Sequence, residues 1–175
     1  VATVLVASSM PASTLGQQTQ ELRRPDVIFV PTQDVTVQAM LDLANVGPTD
    51  VVYDLGCGDG KIVIAAAKRG ARAVGVDIDP QRVKDATENV RAAGLEDKVT
   101  IIHGDLFDPA IKINDATVVT LYLLQSLNIK LKPRLQSELR PGTRIVSNTF
   151  TMGDDWPEEK SVQAGYNTAY LWTIK

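Results

Sequence analysis

The chain has 175 residues, 44% of them hydrophobic and 22% charged, with a formal net charge of −3. That length suits one domain with one sizeable core, and the balance is globular rather than disordered. The acidic balance weighs against nucleic acid as a partner, which would draw on a basic excess; only Lys130, Lys132, Arg134, Arg140 and Arg144 suggest a local basic face, which reads more simply as solvated surface.

Residues 1–25 read as leader and linker. The apolar start at 1–7, followed by small residues, resembles the end of a signal-peptide hydrophobic region or a leader that is docked or disordered, and it is too short to span a membrane. Residues 27–31 form a short extended segment. Thr32 is placed to cap a helix running to about residue 46, with Val37, Met40, Leu41 and Ala44 on one face and Gly47-Pro48 at its end. Strands and helices then alternate: strand 51–55, helix 61–69, strand 73–76 ending at Asp77. A helix begins with Asp79 as cap and Pro80 in its first turn, and ends at Gly94. Strands at 99–102 and 117–121 come next. Leucines at 123, 127, 131, 135 and 139 mark a buried helical face, with Pro133 expected to kink or split the helix. A fifth strand is expected over 143–150, and β-like runs at 159–163 and 168–174 close the chain as a hairpin. Such alternation predicts an α/β fold: a mostly parallel sheet with helices on both faces and an antiparallel C-terminal hairpin.

In an open α/β sheet, ligands bind beyond the carboxyl ends of the strands, where strand order reverses. The first strand ends in Asp54-Leu55-Gly56-Cys57-Gly58-Asp59-Gly60 and passes at once into a helix, bringing backbone close to a ligand at a helix N-terminus. The glycines are one residue too closely spaced for a dinucleotide fingerprint, and Asp54 and Asp59 would repel a pyrophosphate. They suit a ligand carrying an ammonium and a sulfonium, and S-adenosylmethionine is such a ligand. Asp77, with Ile78 beside it, can accept from both ribose hydroxyls. Asp105 can accept from an adenine amino group while the Leu106 amide meets a ring nitrogen. Cys57, the only cysteine, reads as a small packing residue beside the ligand rather than a nucleophile. With His103 the only histidine, no metal site is expected.

These segments, with Val76-Asp77 and Gly104-Asp105, resemble in order and spacing the motifs of class I S-adenosylmethionine-dependent methyltransferases over about residues 50–150. The resemblance implies a Rossmann-like sheet, with residues 26–175 as a single methyltransferase domain. A narrower resemblance runs through Phe29-Val30-Pro31-Thr32, Val119-Thr120-Leu121-Tyr122-Leu123-Leu124, Asn128, Lys130, Leu131 and the run from Arg140 to Ser147. It points to the small mitochondrial protein-lysine methyltransferases that modify the ATP synthase c subunit and the adenine nucleotide translocase, and to their bacterial homologues. The chain departs from the Asn/Asp-Pro-Pro-Tyr run of nucleobase and glutamine methyltransferases, having Thr120-Leu121-Tyr122-Leu123 instead.

This narrower resemblance implies N-methylation of a lysine in a protein or peptide, with Tyr122 as the candidate catalytic residue that orients a neutral amine. Thr32 and Asp34 would close over the cofactor, and Asp154, Asp155 and Trp156 would line the substrate entrance. A small-molecule acceptor and a non-catalytic S-adenosylmethionine-binding protein are the alternatives. A cytoplasmic domain is favoured, because an exported enzyme would have to find the cofactor outside the cell; membrane association or export through the leader stays open.

Overall fold

The computed structural model describes residues 22, 24, 25 and 28–175. The expected leader therefore lies almost wholly outside the described residues. Among those described, no helix is long and apolar enough to cross a membrane.

The elements are α1 (Asp34–Leu43), β1 (Val51–Leu55), α2 (Lys61–Lys68), β2 (Arg72–Asp77), α3 (Pro80–Ala92), β3 (Val99–His103), β4 (Val118–Leu121), α4 (Gln125–Glu138), β5 (Arg144–Asn148), β6 (Lys160–Ala164) and β7 (Asn167–Thr173). They form one seven-stranded sheet in the order β3-β2-β1-β4-β5-β7-β6. The first five strands in that order run parallel, and β7 pairs antiparallel with both β5 and β6. Strand order reverses between β1 and β4, so the crevice beyond their carboxyl ends is where a ligand belongs.

Both sheet faces are covered, and alternate side chains go to opposite cores. Val52, Val118, Val146 and Leu171 pack with Val37, Met40 and Leu41 of α1, Ile62 and Val63 of α2 and Val90 of α3. Their strand neighbours Tyr53, Val119, Ile145 and Trp172 pack on the other side with Leu131 and Leu135 of α4.

Four local expectations change. Gln33, not Thr32, stands at the N-cap of α1, and no side chain caps that end; Thr32 is buried, its carbonyl taken by Lys61. The same helix stops before Gly47, because Asn45 adopts a left-handed φ of 51° and Val46 N–H reaches back to Leu41 O at 2.9 Å. α4 runs through Pro133 as one helix rather than two, with Leu131 and Leu135 buried on either side of the proline. β5 ends at Asn148, two residues early, because Thr149 has a φ of 69° that no strand can accommodate.

Elsewhere the punctuation acts as expected. Asp79 Oδ1 caps α3 by accepting from Gln81 N–H at 2.8 Å, with Pro80 in the first turn. Gly165, at a φ of 68°, turns β6 into β7.

Candidate active site

β1 delivers Asp54 to the carboxyl edge of the sheet, 2% exposed, beside Thr120 of β4. The chain then turns through Gly56 and Gly58, at φ values of 91° and 53° that side chains with a Cβ rarely adopt. The N–H groups of Gly56 and Cys57 both point to Val76 O, at 2.8 and 3.0 Å. From the neighbouring strand, Asp77 grips the turn: its Oδ2 accepts from Gly58 N–H at 2.8 Å while its Oδ1 accepts from Asp79 N–H at 2.9 Å. A carboxylate with two such bonds keeps lone pairs for a further donor. Gly104 N–H bonds to Asp77 O and brings Asp105 and Leu106 alongside.

These residues surround one cavity of about 260 Å³. Asp54, Gly56, Cys57, Gly58, Asp77, Ile78, Asp105, Leu106, Thr32 and Tyr122, all singled out in the sequence, stand on its wall. Gly60 does not. It sits at the N-cap of α2 with a φ of 81°, and a Cβ there would lie 3.1 Å from Ala86 Cβ of α3, so its smallness serves helix packing.

Five carboxylates, those of Asp54, Asp59, Asp77, Asp79 and Asp105, line the cavity against two cations, Lys61 and Arg82. Burial raises Asp54 to about 7, against the hydrogen bond from Thr120 Oγ1 at 2.7 Å and helped by the charges of Asp77 and Asp59. Burial raises Asp77 as well, opposed by the backbone donors it holds. The Cys57 thiol is pushed well up, by burial first and then by Asp54 and Asp77, so it stays protonated and unreactive. Its sulfur packs against Gly75, where a Cβ would come within 2.8 Å of Sγ. A pocket lined by more carboxylates than cations, over a glycine floor, fits a cationic ligand whose backbone-hugging part leaves no room for side chains. S-adenosylmethionine meets both conditions.

The expected entrance residues lie elsewhere. Asp155 is paired with Lys132, and Trp156 packs on Trp172, accepting its indole N–H at 2.9 Å. Neither they nor Asp154 line the cavity. Asp34 is exposed and paired with Lys61 at 3.2 Å. The suspected basic face also dissolves into partnered residues: Lys130 lies over the Phe107 ring at 4.2 Å, Lys132 bonds Asp155, Arg144 bonds Asp50, and Arg134 is nearly buried. His103 is an exposed strand-end residue, its ring nitrogen against Ile78 O.

Sequence reasoning gave no role at the site to Phe29, Arg134 or Phe150. Phe29 packs on the glycine floor, where a Gly58 Cβ would fall 2.3 Å from its ring, and the Arg82 guanidinium lies over that ring, 4.9 Å from its centroid. Arg134 reaches from α4 to the carbonyls of Leu106 and Ile111 while pairing with Glu138, so it fixes the loop that carries Asp105 and Leu106. The only sequence signal is a cation inside a leucine-striped helix. Phe150 lines the cavity just past β5.

The sequence profile of the ANTKMT methyltransferase domain matches residues 54–160. The chain is 43% identical to a protein-lysine N-methyltransferase of Saccharolobus islandicus over 86% of this chain and 95% of that one. It is 34% identical to the mouse (Mus musculus) adenine nucleotide translocase lysine N-methyltransferase over 86% of this chain and 65% of the relative. Among solved structures, an RNA methyltransferase from Salinibacter ruber, crystallised with S-adenosyl-L-homocysteine, superposes with a TM-score of 0.80 and 52% identity over 83% of this chain and 94% of that one.

Proposed function

This chain belongs to the ANTKMT methyltransferase domain family and is an S-adenosylmethionine-dependent methyltransferase, and we propose that its acceptor is the ε-amino group of a lysine in a protein. The observation that carries the acceptor is the likeness to the Saccharolobus protein-lysine N-methyltransferase, which extends over nearly the whole of both chains.

When bound, S-adenosylmethionine supplies a methyl group on a cationic sulfur, which an amine lone pair displaces in line, leaving the C–S electron pair on sulfur and a proton to be lost from nitrogen. The protein's own part is placement and field. Asp54, Asp59 and Asp77 hold negative potential at the end of β1 and β2, where a cation is favoured. Asp77 also orients the Gly56–Gly58 floor through Gly58 N–H, and Asp105 with Leu106 offers an acceptor and a donor to an adenine edge. Tyr122, directly after β4, stands on the cavity wall across the switch point from the ends of β1 and β2. It hydrogen-bonds no described residue there, so it can accept from an incoming amine.

A second reading has one specific support: the 52% identical Salinibacter structure is described as an RNA methyltransferase. The net charge of −3 and the partnering of four of the five suspected basic residues count against an RNA face. Incubating the enzyme and methyl-labelled cofactor with separate protein and RNA fractions of a lysate decides between them. Label in ε-methyllysine after acid hydrolysis supports the proposal. Label confined to nuclease-sensitive material overturns it.

A further inference from the structure

The cavity has two halves. The ends of β1, β2 and β3 give the carboxylate-rich half; the ends of β4 and β5 give an apolar half, walled by Tyr122, Leu124, Leu127 and Phe150. The apolar wall is held in place at a cost. Thr149 is a β-branched residue at a φ of 69°, a conformation for which its side chain is poorly suited. It is the middle residue of a three-residue turn closed by Phe150 N–H to Asn148 O at 2.8 Å. Such strain persists only where the surroundings over-determine it, and it gathers at binding and catalytic sites.

Here three elements impose it. From β7, Thr168 O accepts Thr149 N–H at 2.8 Å. From β5, Asn148 Oδ1 accepts the Thr149 hydroxyl at 3.0 Å. From α4, the fully buried Asn128 donates its amide to Phe150 O at 3.1 Å, to Thr151 O at 3.4 Å and to Ser147 Oγ at 3.1 Å, while its own Oδ1 goes without a partner. A buried amide that leaves one polar atom unpaired while it clamps two loop carbonyls is not explained by core packing.

We propose that Phe150, set by the Thr149 turn and the Asn128 clamp, is a specificity-determining residue that walls an apolar acceptor slot facing Tyr122, sized for the straight aliphatic chain of a primary amine. This rests on the acceptor reading above and sharpens it: the slot recognises the methylene stem, and Tyr122 meets the nitrogen. An apolar wall also favours the neutral amine, the form that can attack.

The test uses the intact protein saturated with S-adenosyl-L-homocysteine, titrated with n-pentylamine and, separately, with ethylamine, monitored by ligand-observed NMR. Wild type is expected to bind n-pentylamine at least fivefold more tightly than ethylamine. Phe150→Ala should lose that preference and Phe150→Leu should keep part of it, each variant being read at its own saturating S-adenosyl-L-homocysteine concentration. Thr149→Gly, which accepts a positive φ freely, should raise the melting temperature while weakening n-pentylamine binding. Cofactor-product binding with no chain-length preference in wild type, or a preference that survives Phe150→Ala, overturns the slot and leaves the methyltransferase reading standing. Failure of S-adenosyl-L-homocysteine to bind overturns the reading beneath it.

Discussion

Asp54 and Thr120 face each other across the β1–β4 pair, and the threonine hydroxyl, 2.7 Å from Oδ1, is the main hydrogen-bond donor to a carboxylate that is 2% exposed. One neutral hydroxyl does not offset burial of a charge, which is why Asp54 is raised to about 7. The pair sits at the point where strand order reverses. The protein therefore keeps an incompletely compensated negative charge where a cationic ligand binds.

That arrangement has a pH signature. The folded pKa of Asp54, about 7, lies above the unfolded value near 3.9, so its contribution to stability is full below about pH 4 and is lost as pH rises through 7. The loss is on the order of 4 kcal/mol for a group this buried. Asp50 and Asp115, both lowered, act in the opposite sense, so the comparison must be with a variant. Asp54→Asn keeps an acceptor for Thr120 and removes the charge. It should be more stable than wild type at pH 8, with the difference shrinking towards pH 5, as thermal melts would show. Cofactor affinity should rise in wild type between pH 6 and 8, with proton release on binding, and stay flat and at least tenfold weaker in Asp54→Asn.

Arg134 is expected to govern the adenine side. Arg134→Met leaves the carbonyls of Leu106 and Ile111 without their guanidinium donor, at about 1–3 kcal/mol of stability. S-adenosyl-L-homocysteine affinity should fall about tenfold by calorimetry, about 1.4 kcal/mol. Arg134→Lys should recover part of both losses, since it retains a charge and donors but not the fork that reaches two carbonyls. An unchanged affinity would remove Arg134 from the binding machinery.

Gly58 is predicted to be intolerant for two separable reasons. Its φ of 53° strains any side chain, and a Cβ would strike the Phe29 ring at 2.3 Å. Gly58→Ala should lose cofactor binding and about 1–2 kcal/mol of stability. Adding Phe29→Ala should restore part of the stability by opening the space, and the melting temperatures of the two variants measure how much of the loss was collision.

Tyr122→Phe removes one hydroxyl from the acceptor side of the crevice. Turnover is expected to drop at least tenfold with cofactor affinity near normal. Calorimetry and steady-state kinetics on the same preparation separate the two, and an unchanged kcat would leave Tyr122 as a wall residue only.

Most of the carboxylate half is legible in the sequence, because it is local. Gly56, Gly58, Asp54 and Asp77 announce themselves by position within strand–turn–helix units and Asp105 by its place just after a strand, and the sheet carries them to one edge. The apolar half is not, because nothing nearby in sequence encodes it. Phe150 is placed by Asn128, 22 residues earlier, and by Thr168 of β7. Phe29 reaches Gly58, and Arg134 reaches back 28 residues to Leu106. Thr149 shows the limit most clearly: its β-branched side chain favours a strand, and the sequence alone extends β5 through it, but tertiary hydrogen bonds hold it in a turn.

The most direct test of the site is calorimetric titration of S-adenosylmethionine into wild type and Asp77→Ala at pH 8. Asp77 holds Gly58 N–H and presents its remaining lone pairs to the cavity, so it joins floor and ligand in one side chain. Wild type is expected to bind at micromolar affinity and Asp77→Ala at least tenfold more weakly, about 1.4 kcal/mol. Equal affinities in the two proteins, or no binding heat in wild type, would contradict the account.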